Sequence, residues 1–147
     1  MILVDVNILI YAIDSDSPHH KVAREWLEQT LSDVFQVGLP WIVILAFLRI
    51  TTHPKIVRKP IGPEDAADYV DSWLRQPCVR IVNPGENHWS ILRNLLQLTG
   101  TAGNLTSDAH IAALALERGY TIYSADNDFK RFPGVTHVNP LGAGGRR

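Results

Sequence analysis

Short apolar runs alternate with longer stretches of helical periodicity along the whole chain, and this alternation constrains the fold more than any other feature. Residues 2–5 (ILVD) read as a short buried strand, and 7–13 as the helix or turn that follows. From His20 to about Leu31, Ala23, Trp26, Leu27 and Leu31 recur at helical spacing. VFQVG (34–38) reads as a strand closed by a glycine. Pro40 suits the first turn of a helix through WIVILAFLRITTH, which is apolar nearly all round and therefore placed deep. PEDAADYVDSWLR is an amphipathic helix with an acidic first turn, as the helix dipole favours. VRIV is a strand, and ENHWSILRNLLQL a helix with Trp89, Leu92, Leu95 and Leu96 inward. LTSDAHIAALALERG is a helix with Thr106 or Ser107 as N-cap and Gly119 as its stop. YTIYS, NDFKRF and VTHV read as strand, short helix and last strand.

Strands alternating with helices predict a three-layer α/β/α sandwich around a mainly parallel sheet. The expected organisation is one domain over residues 1–140 and a flexible tail over 141–147, ending in GAGGRR. Composition agrees with that plan: 147 residues, 46% hydrophobic, suit one sizeable core. Net charge is -1, from 14 Lys+Arg and 15 Asp+Glu, so no general attraction to nucleic acid or membrane exists. Any such contact must come from a local patch or a bound cation. The single cysteine, Cys78, cannot form an internal disulfide and fits a reducing compartment. The start lacks the basic region of a signal peptide, and no run reaches the length of a membrane span. A cytoplasmic protein without membrane contact is expected.

In parallel sheets, ligands gather beyond the carboxyl ends of the strands. Asp5 ends the first strand, and SADND places Asp126 and Asp128 just beyond a late one. Asp108 lies at the start of its helix, on the face of Ile111, Ala112 and Ala115. Each has a purely structural reading: Asp5 and Asp108 as helix-start carboxylates, Asp126 and Asp128 as turn formers. If they meet, mutual repulsion in a poorly solvated cleft raises their pKa values, and a divalent cation resolves the conflict. Oxygen ligands suit Mg²⁺ or Mn²⁺, and no His/Cys spacing suggests zinc. A carboxylate cluster holding such an ion is a natural phosphodiester site.

VDVNILIYA, LPWIVILAFLRITTHP, GNLTSDAHIAALALERG and YSADNDFKRFPG, in that order, resemble a PIN domain of the VapC toxin type, over roughly residues 1–140. The resemblance implies a PIN-like α/β/α sandwich and a metal-dependent endoribonuclease, the toxin of a toxin–antitoxin pair. It also implies a small antitoxin partner and a homodimer. The family's metal-holding acids carry over to Asp5, Asp108 and Asp126, with Asp128 as a further member, for Mg²⁺ or Mn²⁺. Ser124 matches the small hydroxyl residue that often precedes the third acid. There is one departure: many PIN nucleases carry a Glu on the central helix where this chain has Ala46. No acid lies between Asp33 and Glu64, so no shift of register restores it. One well-held cation is therefore expected, with Asp128 as the candidate to supply the missing charge.

Ile42, Ala46, Arg49 and His53 lie near one stripe of that helix. Arg49 there bonds a phosphate or an active-site carboxylate, or else organises the core through an ion pair. Lys55, Arg58 and Lys59 form the only local basic cluster, read either as phosphate contacts for RNA or as a solvated loop. Trp89 is expected in the core, and His88 and His110 exposed or structurally satisfied. Two rival functions remain open. One is a PIN-like module that binds RNA or protein without cutting. The other is a phosphatase with a strand-end Asp nucleophile, although such enzymes want DxD and this chain has Asp5-Val6-Asn7.

Overall fold

The computed structural model describes residues 1–33 and 36–142. Five strands, β1 (Ile2–Val4), β2 (Val37–Pro40), β3 (Val79–Val82), β4 (Thr121–Tyr123) and β5 (Thr136–Val138), form one sheet in the order β3-β2-β1-β4-β5. Every pairing is parallel. The helices are α1 (Val6–Ile13), α2 (His20–Ser32), α3 (Trp41–Thr51), α4 (Pro63–Leu74), α5 (His88–Thr99) and α6 (Thr106–Arg118). Two 3₁₀ turns, Gly103–Leu105 and Asn127–Arg131, complete the described elements.

The strand order determines where a ligand can sit. From β1 the chain steps outward to β2 and β3, then returns to the other side of β1 for β4 and β5. Parallel crossovers are right-handed, so the reversal moves the connecting helices to the opposite face. Accordingly α1 packs on α2 and α3, and α3 on α4, while α5 packs on α6. The reversal opens a crevice at the carboxyl ends of β1 and β4, the usual ligand position in such sheets. β1 is central and its Leu3 and Val4 are almost fully buried, as an apolar strand covered on both faces must be. Leu3 sits opposite Gly38 on β2 and Ile122 on β4. A Cβ at Gly38 would lie 2.5 Å from Val82 Cγ2 and 2.6 Å from Leu3 Cδ2, so only glycine fits this crowded layer.

The structure differs from the sequence expectations at five points. The second strand runs over Val37–Pro40 rather than 34–38, and Val34 and Phe35 lie outside the described residues. Pro40 therefore ends a strand and stands at the N-cap of α3 in extended conformation, not in the helix's first turn. α3 buries one face (Val43, Ile44, Phe47, Thr51) against α4 and the sheet, but Trp41 and Leu45 are 49% and 59% exposed. Trp89 is 66% exposed, because the buried stripe of α5 centres on Ile91 and Leu95 and leaves Trp89 on its flank. Neither Thr106 nor Ser107 caps α6: the 3₁₀ turn runs straight into it, Leu105 takes the N-cap position, and Thr106 N donates to Gly103 O. Of the tail expected over 141–147, Leu141 packs against the core and its N donates to Asn139 Oδ1 at 2.9 Å, and 143–147 lie outside the described residues.

Candidate metal centre

Asp5 follows β1 and is the N-cap of α1, so one residue both ends a strand and starts a helix. Its Oδ1 accepts from Val6 N at 2.8 Å, satisfying one of the free amides of a helix start. Its Oδ2 accepts from Ser124 Oγ at 2.7 Å and from Asn7 Nδ2 at 3.3 Å. Burial raises the Asp5 carboxyl above the ordinary carboxylate range, and the bonds from Ser124 and Val6 pull against that rise. Those engaged oxygens fit a structural or metal-side role better than the nucleophile of a phosphatase.

Ser124, fully buried just beyond β4, joins the two halves of the site. Its hydroxyl also accepts from Asp126 N at 3.0 Å and from Asn7 Nδ2 at 3.2 Å. Asn7 Oδ1 in turn accepts from Ala125 N at 3.1 Å. Asn7 thus binds the end of β4 to the end of β1. Its position, two residues past a strand-end acid at a predicted sheet rim, was the available signal.

Asp126 starts the 3₁₀ turn Asn127–Arg131 and accepts from Asp128 N at 2.9 Å. That turn brings both carboxylates toward Asp108, the third residue of α6. One oxygen each from Asp108, Asp126 and Asp128 lies within 4.8 Å of the others. Asp5 does not join this trio of converging oxygens, although its charge acts on Asp108 and the charge of Asp126 acts on it. Burial, followed by the charges of Asp126, Asp5 and Asp128, pushes the Asp108 carboxyl up to about 7. Three converging oxygen donors, one of them reluctant to ionise, make a donor set suited to a hard divalent cation. His88 and His110 bond each other at 2.8 Å instead of adding nitrogen ligands.

A cleft of about 330 Å³ opens beside Asp5 and Asp108, walled by Ile42, Ala46 and Arg49 of α3 and by Ser107. Ala46 faces the cleft at the position where the resemblance expects an acid, so the missing carboxylate is missing from the site itself. Arg49 is exposed and lines the same cleft, not the core. Among the described residues no carboxylate lies within ion-pairing distance of it.

Comparison with known proteins identifies the family. The profile of the PIN domain matches residues 2–135. Ribonuclease VapC37 of Mycobacterium tuberculosis is 42% identical over 140 residues, covering 95% of this chain and 97% of the relative. Ribonuclease VapC33 of the same species is 37% identical over 141 residues, covering 96% and 99%. Among solved structures, VapBC2 from Rickettsia felis bound to a promoter DNA fragment superposes with a TM-score of 0.69 at 22% identity, covering 95% of this chain and 98% of that one. VapBC-1 from nontypeable Haemophilus influenzae does so with a TM-score of 0.67 at 19% identity, with the same coverage. Profile, relatives and fold converge, and the chain belongs to the PIN-domain family, in its VapC ribonuclease branch.

Proposed function

We propose that this protein is a metal-dependent endoribonuclease, the toxin of a toxin–antitoxin pair, acting in the cytoplasm. The observation that carries the reading is the convergence of Asp108, Asp126 and Asp128 at the rim where β1 and β4 end. Asp108 and Asp126 hold Mg²⁺ or Mn²⁺, with Asp128 completing the set and Asp5 acting directly or through a water. A divalent cation held by these residues would supply the Lewis acidity that makes a bound water nucleophilic at neutral pH and would offset charge on the phosphoryl oxygens. Arg49 holds a substrate phosphate in the cleft. Ser124 and Asn7 hold the Asp5 carboxylate in register with the Ala125 and Asp126 backbone. The ribonuclease relatives support RNA as substrate, and the VapBC complexes support an antitoxin partner. A homodimer is what the family resemblance implies. No described helix is long and apolar enough to cross a membrane.

The test combines calorimetric Mn²⁺ titration of the full chain with cleavage of an end-labelled single-stranded RNA. The parent is expected to bind Mn²⁺ and cut, and Asp126→Asn to lose both. Parental cutting by Asp126→Asn, free of contaminating nuclease, would overturn the assignment. RNA binding with neither Mn²⁺ binding nor cutting would identify a non-cleaving module.

A further inference from the structure

The cleft presents its substrate with an electrostatic difficulty. Four carboxylates crowd the rim, so one divalent cation leaves it net negative, and an RNA strand brings a negative charge with every nucleotide. Positive charge must lie along the strand's path. Between Asp33 and Glu64 the sequence holds Arg49, Lys55, Arg58 and Lys59 and no acid, which is +4 in a chain whose net charge is -1. The fold places this segment beside the cleft. Arg49 and Ile50, in the last turn of α3, line the cleft, and the next residue, Thr51, lines a second cavity of about 200 Å³ together with Arg58 and Lys59.

The loop carrying these cations is held in shape. Ile56 N and Val57 N donate to His53 O at 3.1 Å, Lys55 N to His53 Nδ1 at 3.0 Å, and Ile61 N to Thr51 O at 3.0 Å. Asp14 and Asp16 also face the second cavity, and Lys59 Nζ pairs with Asp16 Oδ2 at 3.3 Å, which ties the loop to the end of α1. The Lys59 side chain remains 77% exposed, and Lys55 and Arg58 are exposed with no carboxylate partner among the described residues.

We propose that Lys55, Arg58 and Lys59 form a phosphate track that continues from Arg49 and holds the RNA strand beside the cut linkage. This rests on the nuclease reading, and its partner is a polyphosphate backbone. Contacts of this kind are independent of base sequence and sensitive to salt.

The experiment measures binding of fluorescein-labelled oligouridylate to the full chain in EDTA across salt concentrations. Without metal, cutting does not intervene. The triple variant Lys55→Gln/Arg58→Gln/Lys59→Gln is expected to lose about 2 units of the log–log salt slope, at roughly 0.7 for each phosphate no longer neutralised. A control losing the same charge at Lys21, Arg24 and Arg93 should keep the parental slope. An unchanged slope in the triple variant, or a parent that does not bind, overturns the track. So does RNA binding that is unmoved while poly-glutamate binding is lost, which would assign the loop to an acidic protein segment. A parent that binds with the expected slope difference but cuts nothing in Mn²⁺ supports the track and refutes the nuclease reading.

Discussion

Ser124 Oγ donates a 2.7 Å hydrogen bond to Asp5 Oδ2 across 119 residues of chain. The same oxygen accepts from Asp126 N, so one buried hydroxyl spaces Asp5 from Asp126. Ser124→Ala removes it and leaves Asp5 Oδ2 and Asp126 N short of partners. Stability is expected to fall by about 1–3 kcal/mol, the usual consequence of orphaning buried polar groups. RNA cleavage should fall by roughly 10–100-fold, as for other groups that orient metal ligands. Urea unfolding and single-turnover cleavage check the two effects, and parental behaviour in both would refute the spacing role.

Asp5→Asn separates charge from shape. Asparagine can still cap α1 through Val6 N, so the fold should persist by circular dichroism. Cleavage should drop by about 100-fold, the upper range for residues supporting a metal. Cutting at the parental rate would remove Asp5 from the catalytic set.

The pH dependence follows from Asp108. Its carboxyl ordinarily titrates near 3.8 and is pushed up to about 7 in the fold, chiefly by burial. Between those values the folded chain binds a proton that the unfolded chain has released. Metal-free stability therefore falls as pH rises through that window, because ionising Asp108 opposes folding. Asp5, also raised, acts with the same sign. Melting in EDTA should give a higher Tm at pH 5 than at pH 8, and Asp108→Asn should flatten the difference. Mn²⁺ competes with the proton, so its affinity should rise across the same interval. A Tm that climbs with pH would contradict this account.

Ala46→Glu places a carboxylate on the wall of the cleft beside Asp5 and Asp108. Without metal this adds like charge and should lower Tm. With Mn²⁺ the loss should reverse, and the titration should show tighter or additional binding. If added Mn²⁺ raises Tm by no more than in the parent, position 46 does not reach the ion.

Much of the architecture was legible because the alternation of apolar runs and helical periods is strong, and an all-parallel sheet with covered faces follows from it. The acids were legible as strand-end and helix-start residues, which a parallel sheet gathers at one rim. The errors have local causes. Val37–Pro40 pairs with β3 residue by residue, and that pairing, invisible in sequence, draws Pro40 into the strand. Trp89 is expected inward with Leu92, Leu95 and Leu96, yet the buried stripe of α5 passes beside it. Arg49 was weighed as a buried charge, although the helix carrying it borders an open cleft. Asn7 was overlooked because its partners, Ser124 and Ala125, are remote in sequence.

The pairing of Leu3 with Ile122 has a consequence for the life of the chain. Synthesis proceeds from the N-terminus, so Asp5 leaves the ribosome first, and the segments bearing the other three acids follow much later. Until then β1 lacks its β4 neighbour, and Ser124 is not there to bond Asp5. A growing or prematurely terminated polypeptide therefore lacks the assembled acid cluster, and the site can form only once the segment bearing Asp126 and Asp128 has been synthesised.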